Sequence, residues 1–230
     1  MPRELTVSLP AGGTVTARAY EAATPARDAA LILAHGAGAG QESPFMIAFA
    51  SALAGLGIDT ITFNFPYIEQ RRKVPDRRPV LEACYLAVID QVRREVAAAQ
   101  RSLFIGGKSM GGRIATYVAT NAQLGLAGVV LLGYPLHAPG RPDERRDAHL
   151  PEVASPMLFV QGSRDAFGTP AELQPVMSAL DERATLHVVS GGDHSFKVAR
   201  AGQQGQALVH AEVQQVITDW IVDVGRRTAR

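Results

Sequence analysis

The chain has 230 residues, 47% of them apolar, enough for one substantial core and a single domain spanning residues 1–230. Its 23 basic and 22 acidic side chains leave a net charge of +1, so no global field argues for nucleic acid or an acidic membrane as a partner. One cysteine, Cys84, excludes an intramolecular disulfide, and no apolar run approaches the roughly 18 residues of a transmembrane helix, so a cytoplasmic protein without membrane insertion is expected.

Two short alternating segments, residues 5–9 and 14–20, flank Pro10-Ala11-Gly12-Gly13 and predict an antiparallel hairpin. Residues 30–34 form a continuous apolar run, as expected of a strand buried on both faces. After a glycine-rich loop, Ser43-Pro44 predicts a helix start, serine capping free amides and proline suiting the first turn, with Gly57 stopping the helix after Leu56. Residues 58–65 resume as a strand. Residues 80–99 carry Cys84, Val88, Val92 and Val96 at four-residue intervals and predict one helix with an apolar stripe, which places Cys84 in the core.

The alternation continues with a strand at 103–105, a helix at 109–121 and a strand at 128–132. A loop then leads to a strand at 157–161, a helix opening at Thr169-Pro170-Ala171-Glu172 with capping-box spacing, and a strand at 185–189. Val209, Val213, Val216, Ile217 and Trp220 line one face of a closing helix. Strands alternating with helices predict an α/β fold, its sheet mostly parallel with helices on both faces. Residues 134–155 make a short loop insertion that stands where a lid could be and leaves the site open. The basic stretch between Arg71 and Arg78 is expected to be a solvated loop, with recruitment of an anionic substrate or partner as its alternative.

Gly107-Lys108-Ser109-Met110-Gly111 stands directly between a buried strand and a helix, the context of a nucleophile elbow, where close backbone packing admits only glycine on either side of the serine. A serine hydroxyl needs a histidine to take its proton and a carboxylate to orient that histidine. In open parallel sheets such partners lie just beyond later strand ends, and Asp165 and His194 do. Asp193 is the nearest rival acid; Asp165 is preferred because it ends its own strand. The N–H groups of Met110 and, from the loop at 35–40, Ala37 are the candidate oxyanion hole, and His35 is expected to anchor that loop. Phe65, Tyr67, Leu136 and Phe167 are candidate pocket walls because each follows a strand end. Neither glycine run has the spacing of a nucleotide-binding P-loop, and the six histidines form no short ligand pair, so no cofactor and no metal are expected.

Leu33-Ala34-His35-Gly36-Ala37-Gly38-Ala39, Phe63-Asn64-Phe65-Pro66-Tyr67, the elbow and Gly191-Gly192-Asp193-His194-Ser195-Phe196 resemble the α/β-hydrolase superfamily. Within it they are similar to a small group placed beside dienelactone hydrolases that contains the testis-expressed hydrolase-like proteins. The resemblance implies an eight-stranded mixed sheet with little or no cap and a catalytic Ser109, Asp165 and His194. Dienelactone hydrolases carry cysteine at the elbow where this chain has Ser109, so their chemistry does not transfer. The expected function is therefore ester or related acyl hydrolysis on a small-molecule acyl substrate. The alternatives are a non-enzymatic interaction scaffold on the same fold, or an acyltransferase or peptidase using the same triad. Oligomeric state is open, a homodimer among the arrangements it allows.

Overall fold

In a computed structural model, which describes residues 1–228, the chain builds one eight-stranded mixed sheet. The strands are β1 (Arg3–Ser8), β2 (Thr14–Tyr20), β3 (Ala30–Ala34), β4 (Asp59–Phe63), β5 (Leu103–Lys108), β6 (Gly128–Leu132), β7 (Met157–Gly162) and β8 (Ala184–Val189). Their spatial order is β1-β2-β4-β3-β5-β6-β7-β8. The hairpin β1–β2 is antiparallel and β2 runs antiparallel to β4, while the remaining neighbours are parallel. The helices are α1 (Pro44–Gly55), α2 (Pro66–Glu69), α3 (Arg78–Glu95), α4 (Ala97–Arg101), α5 (Met110–Ala119), α6 (Pro170–Leu180) and α7 (Gly202–Thr228).

The continuous apolar runs have a simple cause: both sheet faces are covered. Along β3, Ala30, Ile32 and Ala34 pack in a core with residues of α3 and α5, such as Val88, Val92 and Ile114. The alternate side chains Leu31 and Leu33 pack on the other face with Phe49 and Leu53 of α1 and Ile217 and Ile221 of α7. Each buried Leu, Ile, Val or Phe among these contributes about 1.5–3 kcal/mol. Local signals agree with this packing. Ser43 accepts the Met46 N–H at the start of α1, and Thr169 and Glu172 form a reciprocal capping box at α6.

Several boundaries differ from expectation, most of them by a residue or two at an element's end. The helix expected over 80–99 begins two residues earlier, with Pro79 in its first turn, and is interrupted at Val96, whose φ of −120° and ψ of 107° are extended. That break turns the chain so that Ala98 and Ala99 of α4 are buried. The strand expected to reach Phe65 stops at Phe63, because Phe65 caps the single turn of α2 and Pro66 opens it. The strand expected at 103–105 runs on to Lys108, since Gly106 and Gly107 pair with β3 on one side and β6 on the other. The connection between β6 and β7 holds only one short 3₁₀ turn, Leu150–Glu152, and no large cap.

Candidate active site

β5 passes into α5 through Ser109 alone. That residue has φ 51° and ψ −115°, a conformation that costs a non-glycine residue about 1–3 kcal/mol. Neighbouring bonds hold it there: the Ser109 N–H donates to Leu132 O at 2.9 Å, and Ser109 O accepts the Arg113 N–H at 3.0 Å. The flanking glycines are required by proximity. A Cβ at Gly107 or at Gly111 would lie 2.4 Å from the carbonyl oxygen of Ala34. With β3 pressed this close, the turn carries the Ser109 side chain to the carboxyl edge of the sheet.

Three polar side chains meet at that edge. The Ser109 hydroxyl is 2.8 Å from His194 Nε2, and His194 Nδ1 is 2.8 and 3.0 Å from the two oxygens of Asp165. With Nδ1–H donating to the carboxylate, Nε2 is left as the acceptor for the hydroxyl. Asp165 is fully buried, and its other bonds are to the Phe167 N–H and to Gln161 Nε2, both at 2.8 Å. Asp193 is occupied elsewhere: its Oδ1 accepts the N–H groups of Ser195 and Lys197 and shapes the turn that carries His194. The Phe167 ring stacks on the imidazole, centroids 4.1 Å apart, and limits its rotation.

Two supporting residues escaped sequence reasoning. Gln161 is buried, donates to Asp165 and to Gly168 O, and accepts the Tyr134 N–H, tying three loops together. Its signal was a lone polar side chain ending the apolar run Met157-Leu158-Phe159-Val160. Lys108, beside Ser109, donates to the carbonyl oxygen of His194. Burial lowers its pKa to about 8 despite the nearby carboxylates of Asp165 and Asp193, and its ammonium lies 5.5 Å from the Phe196 ring centroid.

The loop after β3 faces Ser109 from the other side. His35 is fully buried; its Nδ1–H donates to Gly36 O at 2.8 Å and its Nε2 accepts the Phe65 N–H at 3.1 Å. Burial lowers its pKa to about 4, so the ring is neutral at ordinary pH. The Tyr67 hydroxyl donates to Ala37 O at 3.0 Å and fixes the next peptide. Among the described residues no protein acceptor takes the N–H of Ala37 or of Met110.

Two open cavities, of about 250 and 450 Å³, share Ala37, Ser109 and Phe167 as walls and so form one cleft across Ser109. The larger is bounded mostly by apolar groups, Phe45 and Met46 of α1 among them, with Lys108 and His194 on its wall, and the smaller by Arg78, Arg113 and Arg146. Of the four side chains expected as pocket walls, Phe167 lines both cavities. Phe65, Tyr67 and Leu136 do not: each is fully buried beneath the cleft. Phe65 packs edge-on against His35, Tyr67 holds Ala37, and Leu136 lies against Gly168. They brace the loops that form the walls. Among the described residues no group of three or more His, Cys, Asp or Glu side chains is placed to hold a metal ion, and no helix is long and apolar enough to cross a membrane.

The topology and the strand-turn-helix around Ser109 define an α/β protein of the hydrolase type. The chain belongs to the alpha/beta hydrolase domain family, which it matches over residues 27–222. Solved structures similar to it include an α/β serine hydrolase without lid from Xanthomonas campestris, 19% identical over 95% of this chain and 94% of that one, with a TM-score of 0.72. An alpha-beta serine hydrolase homologue from Coxiella burnetii is 20% identical over 94% and 96%, TM-score 0.74. A dienelactone hydrolase from Anabaena variabilis is 20% identical over 96% and 98%, TM-score 0.73. These likenesses establish the shared fold.

Proposed function

We propose that the protein is a serine hydrolase that cleaves a carboxylic ester or a related acyl compound through an acyl-enzyme. The observation that carries this reading is the unbroken hydrogen-bond chain from Asp165 through His194 to the hydroxyl of a conformationally strained Ser109. A structural serine has no need of a neutral imidazole acceptor held in one tautomer by a buried carboxylate.

As Ser109 Oγ attacks the acyl carbon, its proton passes to His194 Nε2, and Asp165 stabilises the imidazolium and holds its orientation. The carbonyl π electrons move onto oxygen, where the free N–H groups of Met110 and Ala37 supply two donors. Collapse of this intermediate breaks the bond to the leaving group, which takes the proton back from Nε2. A water molecule then repeats the sequence: its proton goes to Nε2, its oxygen attacks the acyl carbon, and Ser109 leaves with the returned proton. The domain is read as a single unit, 1–230, whose insertion at 134–155 rims the cleft instead of closing it, so the acyl substrate is small or presented from an exposed position.

Labelling with a fluorophosphonate probe, run beside a panel of short p-nitrophenyl esters, amides and thioesters, tests the reading. Ser109→Ala should lose all labelling and at least about 10⁴-fold in kcat on any substrate turned over. Equal labelling of the two proteins would sink the assignment.

A further inference from the structure

The smaller cavity beside Ser109 has an unusual charge inventory. Arg78 at the start of α3, Arg113 in the first turns of α5 and Arg146 from the β6–β7 loop all line it, against one carboxylate, Asp76. Arg78 pairs with Glu82 at 3.1 Å and lies over the Tyr117 ring, while Asp76 pairs through Oδ1 with Arg72 and keeps its buried Oδ2 without a hydrogen-bond partner among the described residues. Among the described residues Arg113 and Arg146 have no carboxylate partner, and Arg113 Nε is buried without a hydrogen-bond acceptor. A buried guanidinium N–H without an acceptor is costly unless something else enters to meet it. Burial, then the repulsion of Arg146 and Arg78, pulls the Arg113 pKa below its ordinary value, with only the Tyr117 and Tyr134 hydroxyls acting the other way. The N-terminal end of α5, at Met110, lines the same cavity and adds to the positive potential.

From this we infer that the substrate carries an oxyanion substituent, a carboxylate or a phosphate, a few bonds from the scissile carbonyl, and that Arg113 and Arg146 bind it in the cavity on one side of Ser109. The inference rests on the proposed hydrolase reading and names the substrate class of that site. The shared walls at Ala37, Ser109 and Phe167 place the reacting carbonyl between this basic cavity and the apolar one at Phe45 and Met46, so the substrate has one charged and one apolar end. A guanidinium fork meets either oxyanion with paired hydrogen bonds. The basic run noted in the sequence contributes only its last member, Arg78; the other arginines that converge here lie in α5 and in the β6–β7 loop.

Two substrate pairs test it: p-nitrophenyl hydrogen glutarate against its methyl ester, which places charge on the acyl side, and the acetyl esters of p-hydroxybenzoate and its methyl ester, which place it on the leaving group. In at least one pair the wild type should favour the charged member by about tenfold or more in kcat/KM. That ratio should collapse toward one in Arg113→Gln and in Arg146→Gln, take an intermediate value in Arg113→Lys, and persist in Arg94→Gln on the exposed far end of α3. Inorganic phosphate and glutarate should compete with the charged ester, and their relative strength separates the two oxyanion classes. Because ligand binding needs no turnover, calorimetric titration of glutarate and of phosphate into Ser109→Ala, and into Ser109→Ala combined with Arg113→Gln, reads the basic site alone; binding should be lost in the double variant. A charged-to-neutral ratio of one or less in both pairs, or a ratio that survives both glutamine substitutions, overturns the inference while fluorophosphonate labelling of Ser109 leaves the hydrolase reading standing. Absence of labelling with anion binding that depends on Arg113 does the reverse: it removes the hydrolase reading and supports the anion site.

Discussion

Lowering the pH forces a proton onto His35, and the folded protein has nowhere to put it. Nε2 accepts the Phe65 N–H and Nδ1–H already donates to Gly36 O, so protonation sets two donors against each other in a fully buried ring. The ring's ordinary value of 6.5 falls to about 4 in the fold, and burial is the larger cause. Between these values the unfolded chain binds the proton and the folded chain does not. Stability is therefore full above about pH 6.5 and is lost as pH falls through that window toward 4. Integration gives a loss of about 2–3 kcal/mol by roughly pH 4.5, an order-of-magnitude value. Urea unfolding of wild type and His35→Gln at about pH 7.5 and about pH 4.5 isolates it, because other titrating groups occur in both proteins. His149, whose pKa burial also lowers to about 4, is one of these and cancels in the comparison. The variant starts less stable but should lose about 2 kcal/mol less on acidification. Equal losses in the two proteins would refute the argument and place the acid sensitivity elsewhere.

Asp165→Asn should lower kcat on a p-nitrophenyl ester by about 10³–10⁴ with a small change in KM, because an amide can turn a donor toward His194 Nδ1 and fix the wrong tautomer; a loss under tenfold would contradict the role given to Asp165. Gly111→Ala should destabilise the fold by about 2–4 kcal/mol, because its Cβ would lie 2.4 Å from Ala34 O on a strand hydrogen-bonded along both edges. An unchanged melting temperature would show that β3 and α5 can separate at no cost. Lys108 has an ordinary value of 10.5 and about 8 in the fold, so the unfolded chain holds the extra proton between them and stability should rise with pH across that interval. Lys108→Met should flatten the rise in urea midpoint between about pH 8 and pH 10, and an identical slope in both proteins would exclude Lys108 as its source.

The features legible in the sequence were those set by local constraints. A strand covered on both faces must be apolar at every position, so β3, β6 and most of β7 stand out as short continuous runs. The turn at Ser109 demands glycine because an added Cβ would lie 2.4 Å from Ala34 O, and that demand is written within five consecutive residues. Asp165 and His194 were found because each follows its strand directly, and the parallel arrangement brings those strand ends to one edge. Where no local rule operates, the reading slipped. Nothing in Val96 announces a break in a helix whose neighbours are alanine, glutamate and arginine; the break exists because the core rewards burying Ala98 and Ala99.

The pocket walls show why specificity is harder to read than chemistry. Position after a strand end locates a Cα on the catalytic edge, but whether its side chain rises into the cleft or turns beneath it depends on the next few backbone dihedrals. At Phe65 the chain enters the turn of α2, which sends Phe65 and Tyr67 under the Ala37 loop as its supports. Their places at the rim go to Arg78, Arg113 and Arg146, drawn from two helices and a loop that share no motif and come together only through the fold. The turn at Ser109 is fixed in form by a steric necessity that acts within one turn of chain. A substrate-binding charge needs only to reach the cavity, and a long side chain such as arginine can do so from many positions. The elbow is thus written within one turn of chain, while the arginines that line the cleft are dispersed across it, and the proposed substrate class rests on that dispersed set.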